Sequence, residues 1–238
     1  MTTPTPTPTP TPPAFTGFPP EAIAFYEGLV ADNSKQYWEA NKPVFERAVR
    51  GPMLAIVEAF DEEYRPFRIF RPYRDVRFSK DKSPYKTQLG AYSEGQRGSD
   101  HYLAISAGGL FVACGYHQMA VDQIARYREA VAGEDGARLP GLIAEAEANG
   151  LSVGGGMEAA LKRVPRGYPA EHPRADLLRR KGLTAWVDFG APAWLETPEA
   201  VARVQQVWRD AAPLLAWLDL HVGPSRELPP EARAWIGG

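Results

Sequence analysis

The residues of this sequence with the clearest capacity for chemistry are the cations of one short stretch, RPYRDVRFSKDKSPYK, at residues 71–86. The stretch contains two carboxylates and six cations. The cations are Arg71, Arg74, Arg77, Lys80, Lys82 and Lys86. Guanidinium groups bind carboxylate and phosphate oxygens in a bidentate manner, whereas an ammonium group supplies a compact positive charge. The stretch therefore predicts a site for a small anionic group.

A second basic segment, residues 161–181, contains seven cations and two carboxylates. Prolines within it are expected to fix the directions of Arg163, Arg166 and Tyr168. The two segments leave 14 cations and 25 carboxylates to the rest of the chain, a net charge of −11, although the whole chain carries only −2. Because charge this segregated usually serves binding, we expect both segments to converge on one anionic ligand.

The spacing of the first segment suggests how its arginines are held. If residues 69–78 form a strand, side chains two positions apart share a face, so Arg71, Asp75 and Arg77 lie together. A carboxylate between two guanidinium groups can fix the geometry of both. We therefore expect Asp75 to brace Arg71 and Arg77 for bidentate binding.

Several groups near the basic segments, or elsewhere in the chain, could transfer protons if the protein is an enzyme, a question that the sequence leaves open. The candidates are Asp75, Asp81, Tyr85, His117 and His172. The four histidines are dispersed and form no His-Glu-x-x-His motif, so the sequence predicts no metal site and identifies no cofactor.

Two other functions use the same residues. A nucleic-acid-binding protein would direct the cations to phosphates and stack bases on Tyr73, Phe78 and Tyr85. The strongly acidic remainder of the chain counts against a long polyanion, which most of the surface would repel. Alternatively, the arginines and aspartates form an ion network that only holds the fold together.

The first residues are a Thr-Pro repeat, in which every second residue lacks a backbone donor. Alternating proline favours an extended, solvated chain over a helix or a strand. We therefore predict a disordered tail at residues 1–14 and a single folded domain at residues 15–238.

The pattern of that domain predicts an α+β fold, with N-terminal helices, a central and mainly antiparallel sheet, and C-terminal helices. Apolar residues at helical spacing precede Tyr64 and predict helices, the second of which Asn33 or Ser34 can cap. Two apolar runs at 101–106 and 110–116 flank glycines and predict a β-hairpin. The remaining expected elements are a strand at 182–189, a flexible turn at 150–160, and helices at 120–132, 138–149 and 197–220.

Composition places bounds on location and partners. Cys114 is the only cysteine, which excludes an internal disulfide and fits a reducing compartment, so we expect a cytoplasmic protein. No apolar run approaches the roughly 18 residues that span a bilayer, which predicts no membrane segment. The oligomeric state cannot be predicted from these features.

Two motifs resemble a known family. FRPYRDVRFSKDKSPYKT at 70–87, together with KRVPRGYPAEHP at 162–173, is similar to the bacterial and fungal family catalogued as domain of unknown function 2461. The matching positions of the first motif are Arg71, Arg74, Asp75, Arg77, Phe78, Asp81, Lys82 and Tyr85. The resemblance extends from about Phe18 to beyond Phe189 and implies no particular activity.

Overall fold

The computed structural model describes residues 14–75, 77, 81–94, 98–156 and 158–227. All but the last residue of the Thr-Pro tail lies outside the described residues, and so do Lys80 and Phe78 of the first basic segment. In the part of the chain that is described, no helix is both long enough and apolar enough to cross a membrane.

The N-terminal part is helical, as the sequence predicts. Helix α1 is Pro20–Ala31, α2 is Lys35–Val44, and a π-helical turn, Phe45–Arg50, joins α2 to α3, Gly51–Ala59. Pro20 fits the first turn of α1 because the N–H that it lacks would have no helical partner there. The expected cap of α2 is confirmed, since the Ser34 hydroxyl accepts a hydrogen bond from the Tyr37 N–H at 3.1 Å.

The described residues include six antiparallel strands, which form one sheet in the order β1-β2-β3-β4-β6-β5. The strands are β1 Arg68–Ile69, β2 Gln88–Glu94, β3 Asp100–Ser106, β4 Gly109–Tyr116, β5 Ser152–Gly154 and β6 Leu183–Gly190. The predicted hairpin is β3–β4, and the predicted late strand is β6. Gly109 adopts φ +103° at the end of the hairpin turn, and a side chain there would collide with the Gly190 carbonyl group.

The predicted strand over 69–78 is wrong. Strand β1 ends at Ile69, and among the described residues from there to β2 the pairing is an isolated antiparallel bridge between Tyr73 and Tyr85. Pro72 has no N–H to donate to a neighbouring strand, which interrupts the ladder. Strand β5, by contrast, lies within the segment for which we expected a flexible turn.

The later helices are α4 Val121–Ala132, α5 Leu139–Ala148, the short α6 Ala175–Leu178 and α7 Glu199–His221. One face of the sheet packs against helices and forms the core. Trp208 of α7, for example, lies edge-on to His101 of β3 at 5.2 Å between ring centroids. The arrangement confirms the predicted α+β class.

Candidate anion-binding site

The first basic segment folds back on itself as an irregular hairpin between β1 and β2. The Arg74 N–H donates to the Pro84 carbonyl at 2.9 Å, and the Lys86 N–H donates to the Pro72 carbonyl at 2.8 Å. These bonds flank the Tyr73–Tyr85 bridge. The two ends of the segment are therefore held side by side, and we call residues 70–86 the basic hairpin.

Residues of the N-terminal helical region hold the basic hairpin in place. The Asn33 side chain donates to the Tyr85 carbonyl at 3.0 Å and accepts from the Tyr85 N–H at 3.1 Å, as a neighbouring strand would. The Tyr85 ring stacks on Trp38 of α2, with centroids 4.4 Å apart and planes 8° apart. The hairpin is thus fixed to the body of the protein before any ligand binds.

Asp75 contacts one of the two arginines that it was expected to brace. Arg77 donates to the Asp75 carboxylate from Nε at 3.0 Å and from Nη2 at 2.6 Å. These side-chain bonds, with a backbone bond from Arg77, lower the pKa of Asp75 to about 2. Arg71 is exposed, and among the described residues its side chain has no hydrogen bond or ion pair. The prediction that Asp75 braces Arg71 is therefore wrong, because the segment does not form the strand that would bring the two side chains to one face.

Arg74 is less exposed than Arg77, with 26% of its side chain exposed against 74% for Arg77. It forms an ion pair with Asp81, whose carboxylate also accepts hydrogen bonds from the Ser83 N–H at 2.9 Å and the Ser83 hydroxyl at 2.6 Å. Lys82 is exposed next to this turn. Asp81 therefore fixes Arg74 on one side and the turn at Ser83 on the other.

Lys86 is the most unusual cation of the basic hairpin. Its ammonium lies 5.0 Å from the centroid of the Phe70 ring and is only partly exposed. Burial, and then the positive charge of Arg74, lower the pKa of Lys86 below its usual value. Within the described part of the chain, Lys86 has no carboxylate partner. Two cations are therefore close enough to repel each other, and only Arg74 has a counter-charge.

The second basic segment is attached elsewhere. Tyr168 packs against the core, and Arg163 and Arg166 are exposed. The Arg174 guanidinium donates to carbonyl groups at the end of α4, at 2.6 Å to Val131 and 2.8 Å to Gly133. Cations at the C-terminal end of a helix satisfy carbonyl groups that have no helical hydrogen-bond partner.

The two basic segments consequently do not converge as we expected. The first follows β1 and the second follows β5, and these strands are the opposite edges of the sheet. Five strand spacings separate the edges by about 24 Å. The first segment is attached to α2 and the second to α4.

The second segment also contains a buried donor without an acceptor. The Nη1 atom of Arg180 is inaccessible to solvent and has no hydrogen-bond partner among the described residues. Its neighbour Arg128 donates from Nε to the Leu178 carbonyl at 3.2 Å, and burial lowers the pKa of Arg128. The sequence offered no signal for the burial of Arg180, because a cluster of basic residues is usually exposed to solvent.

The candidate proton-transfer groups are scattered. His117 Nδ1 lies 2.9 Å from the Asp100 carboxylate, at the end of the sheet opposite the basic hairpin. His172 Nδ1 accepts from the Arg174 N–H at 3.0 Å, which is a turn contact. Burial raises the pKa of Tyr85, so its phenol stays protonated at neutral pH.

Asp75, Asp81 and Tyr85 belong to the basic hairpin, whereas His117 and His172 lie outside it. A search of the described residues for three or more His, Cys, Asp or Glu side chains that could hold a metal ion finds none. The described feature that bears on function is the arrangement of cations in the basic hairpin.

Comparisons with known proteins agree with the motif resemblance. A family model described as "Conserved hypothetical protein (DUF2461)" matches residues 21–217, which include both basic segments. No curated protein and no solved structure matches the chain.

Proposed function

The chain belongs to the DUF2461 family, and we propose that it binds a small ligand carrying a phosphate or carboxylate group at Lys86, Arg74 and Arg71 of the basic hairpin. The observation that carries the proposal is the position of Lys86. It is a partly buried ammonium beside Arg74, it lies over the Phe70 ring, and it has no carboxylate partner among the described residues.

An anion at this position removes an electrostatic cost. A partly buried cation is unfavourable unless a counter-charge accompanies it, and a second cation nearby adds repulsion. A phosphate or carboxylate in contact with both Lys86 and Arg74 would supply that counter-charge. Arg71, which has no partner of its own in the described structure, adds a guanidinium fork at the entrance of the basic hairpin.

The attachment of the hairpin supports binding as well. The Asn33 amide and the stack of Trp38 on Tyr85 order the backbone next to Lys86, and the Tyr73–Tyr85 bridge brings Arg74 beside it. A site that is ordered in advance loses less conformational entropy when the ligand binds. The ion pair of Arg74 with Asp81 limits affinity, because an anion must share the arginine with a carboxylate.

A nucleic-acid ligand is the second candidate, because Tyr73 is 55% exposed beside Arg74 and could stack on a base. The acidic remainder of the chain, with its net charge of −11, disfavours it. The two ligands differ in how affinity depends on salt, since each phosphate contact with a polyanion releases counterions.

The test is a thermal-shift titration with inorganic phosphate, pyrophosphate and citrate, alongside a single-stranded oligonucleotide, at about 50 and 200 mM salt. The proposal predicts stabilisation by at least one small anion at both salt concentrations. Stabilisation by the oligonucleotide alone, with most of it lost at the higher salt, would support the nucleic-acid candidate. No shift with any anion would leave the basic hairpin as an ion network that serves the fold.

A further inference from the structure

One face of the sheet lies opposite the core and carries aromatic side chains. Strand pairing places six residues next to one another across that face: Arg68, Tyr92, Tyr102, Ala113, Trp186 and Ser152. Side chains alternate along a strand, so Phe111 shares this face with them. The rings are partly buried, yet they are not among the residues that form the core with the helices.

This composition is unusual for a solvent-facing sheet. An antiparallel sheet with one covered face normally presents polar residues on the other. Aromatic patches on a surface commonly mark a place where something binds. The neighbouring positions on this face include glycines, and these explain how the rings are arranged.

Two glycines allow rings to lie over the backbone of the sheet. A Cβ atom at Gly90 would be 2.6 Å from the hydroxyl of Tyr102, so the tyrosine ring extends across that strand. Gly154 is covered in the same way by the Trp186 ring, also at 2.6 Å. The Gln88 side chain donates to the Tyr102 hydroxyl at 3.0 Å and holds the ring there. Such rings present a fixed π-surface.

The aromatic face is continuous with the anion-binding site. Phe70, which lies under the Lys86 ammonium, stacks on Tyr92 with centroids 5.1 Å apart and planes 20° apart. The Phe70 and Tyr102 centroids are 6.4 Å apart. One small molecule can therefore contact the cation and the rings at the same time.

We propose that the ligand of the Lys86 site is a mononucleotide-like molecule, with its phosphate at Lys86 and Arg74 and its planar ring on the surface formed by Phe70, Tyr92 and Tyr102. This inference rests on the proposed anion binding and adds the class of the ligand. Aromatic side chains stack on any nucleobase because each base has a π-face. Arg68, beside Tyr92 and exposed, is a further cation along the same edge.

The charge distribution favours one nucleotide over a long strand. Arg68 and Lys86 lie at the β1 edge of the aromatic face, whereas Asp188 is exposed across the sheet from Phe111. A strand running across the face would therefore pass a carboxylate. A single phosphate with one ring needs only the edge at Lys86.

The test compares adenosine 5′-monophosphate, inorganic phosphate and adenosine by isothermal titration calorimetry. Wild-type protein should bind the nucleotide about tenfold to a hundredfold more tightly than phosphate, the range expected for one stacked base. Tyr102→Leu, which keeps bulk over Gly90 but removes the π-face, should lose that advantage and keep phosphate binding. Tyr102→Phe should retain the advantage.

Trp186→Leu is the matched control, because Trp186 is on the same face three strands away from Tyr92 and should not affect either ligand. Circular dichroism establishes that each variant is folded. Equal affinities of the wild type for phosphate and nucleotide would overturn the nucleotide inference while the proposed function stands. If neither phosphate nor the nucleotide binds, the nucleotide inference and the proposed function are both overturned. If a single-stranded oligonucleotide binds much more tightly than adenosine 5′-monophosphate, the ligand is nucleic acid and the mononucleotide inference is overturned.

Discussion

The Lys86 ammonium lies 5.0 Å from the centre of the Phe70 ring, and burial, followed by the positive charge of Arg74, lowers the pKa of this ammonium. A cation over an aromatic face is attracted by the ring quadrupole, but this attraction does not replace a counter-ion. The pair therefore joins the two halves of the proposed site, the basic hairpin and the aromatic face of the sheet.

The lowered pKa of Lys86 predicts how binding depends on pH. Between that lowered pKa and the ordinary value of 10.5, the folded protein loses a proton that the unfolded chain retains. The affinity for the phosphate dianion should therefore fall as the pH rises through the lowered pKa, before reaching 10.5. Calorimetric titrations between pH 7 and pH 10.5 measure this. Constant affinity up to pH 10.5 would show that Lys86 does not contact the anion.

The same shift predicts a pH effect on stability. Because the unfolded chain binds more protons in that window, the contribution of Lys86 to the free energy of unfolding rises with pH. Lys86→Met, which removes the charge and keeps the aliphatic chain, should stabilise the unliganded protein at pH 7. Urea denaturation measures the change, and a lower free energy of unfolding in the variant would contradict the account.

Asn33 should be important for stability although it lies outside the basic hairpin. Asn33→Ala removes both partners of the Tyr85 backbone groups, and each unsatisfied, partly buried group costs about 1–3 kcal/mol. Urea denaturation should show a loss of about 2–6 kcal/mol for the two groups together, along with weaker phosphate binding. Asn149→Ala, at an exposed position, is the control. Equal free energies of unfolding for the two variants would show that the hairpin is not held through Asn33.

Local sequence patterns predicted the parts of this fold that depend on neighbours in the chain. The Ser34 cap and the hairpin of β3 and β4 depend on residues a few positions apart, and both are observed. The contact between Asn33 and Tyr85 joins residues 52 positions apart, so no local signal announces it.

The candidate site was predictable in composition and not in geometry. The cationic character of the basic hairpin follows from the sequence alone. The prediction that Asp75 contacts two arginines assumed a strand over residues 69–78. Pro72 interrupts that strand, and of the two predicted contacts the structure shows the one with Arg77. The aromatic face follows from alternation within β3 and β4, but knowing which face the helices cover requires the tertiary structure.

Asp81 is expected to limit affinity through its ion pair with Arg74. Asp81→Asn removes the competing charge while its amide can still accept from Ser83. Phosphate affinity should rise by about twofold to fivefold, the range for a partly exposed ion pair. Calorimetry on the variant measures it. A fall in affinity would mean instead that Asp81 is needed to position Arg74.

The most direct test of the central claim is the affinity of Lys86→Gln for pyrophosphate, measured by isothermal titration calorimetry at pH 7 beside Lys162→Gln. Both variants lose one positive charge, and Lys162 is exposed in the second basic segment. If the anion binds at Lys86, Lys86→Gln should weaken binding at least about tenfold, as expected for a hydrogen bond to a charged group, while Lys162→Gln changes it by less than about twofold. Equal losses in the two variants, or no loss in Lys86→Gln, would contradict the account.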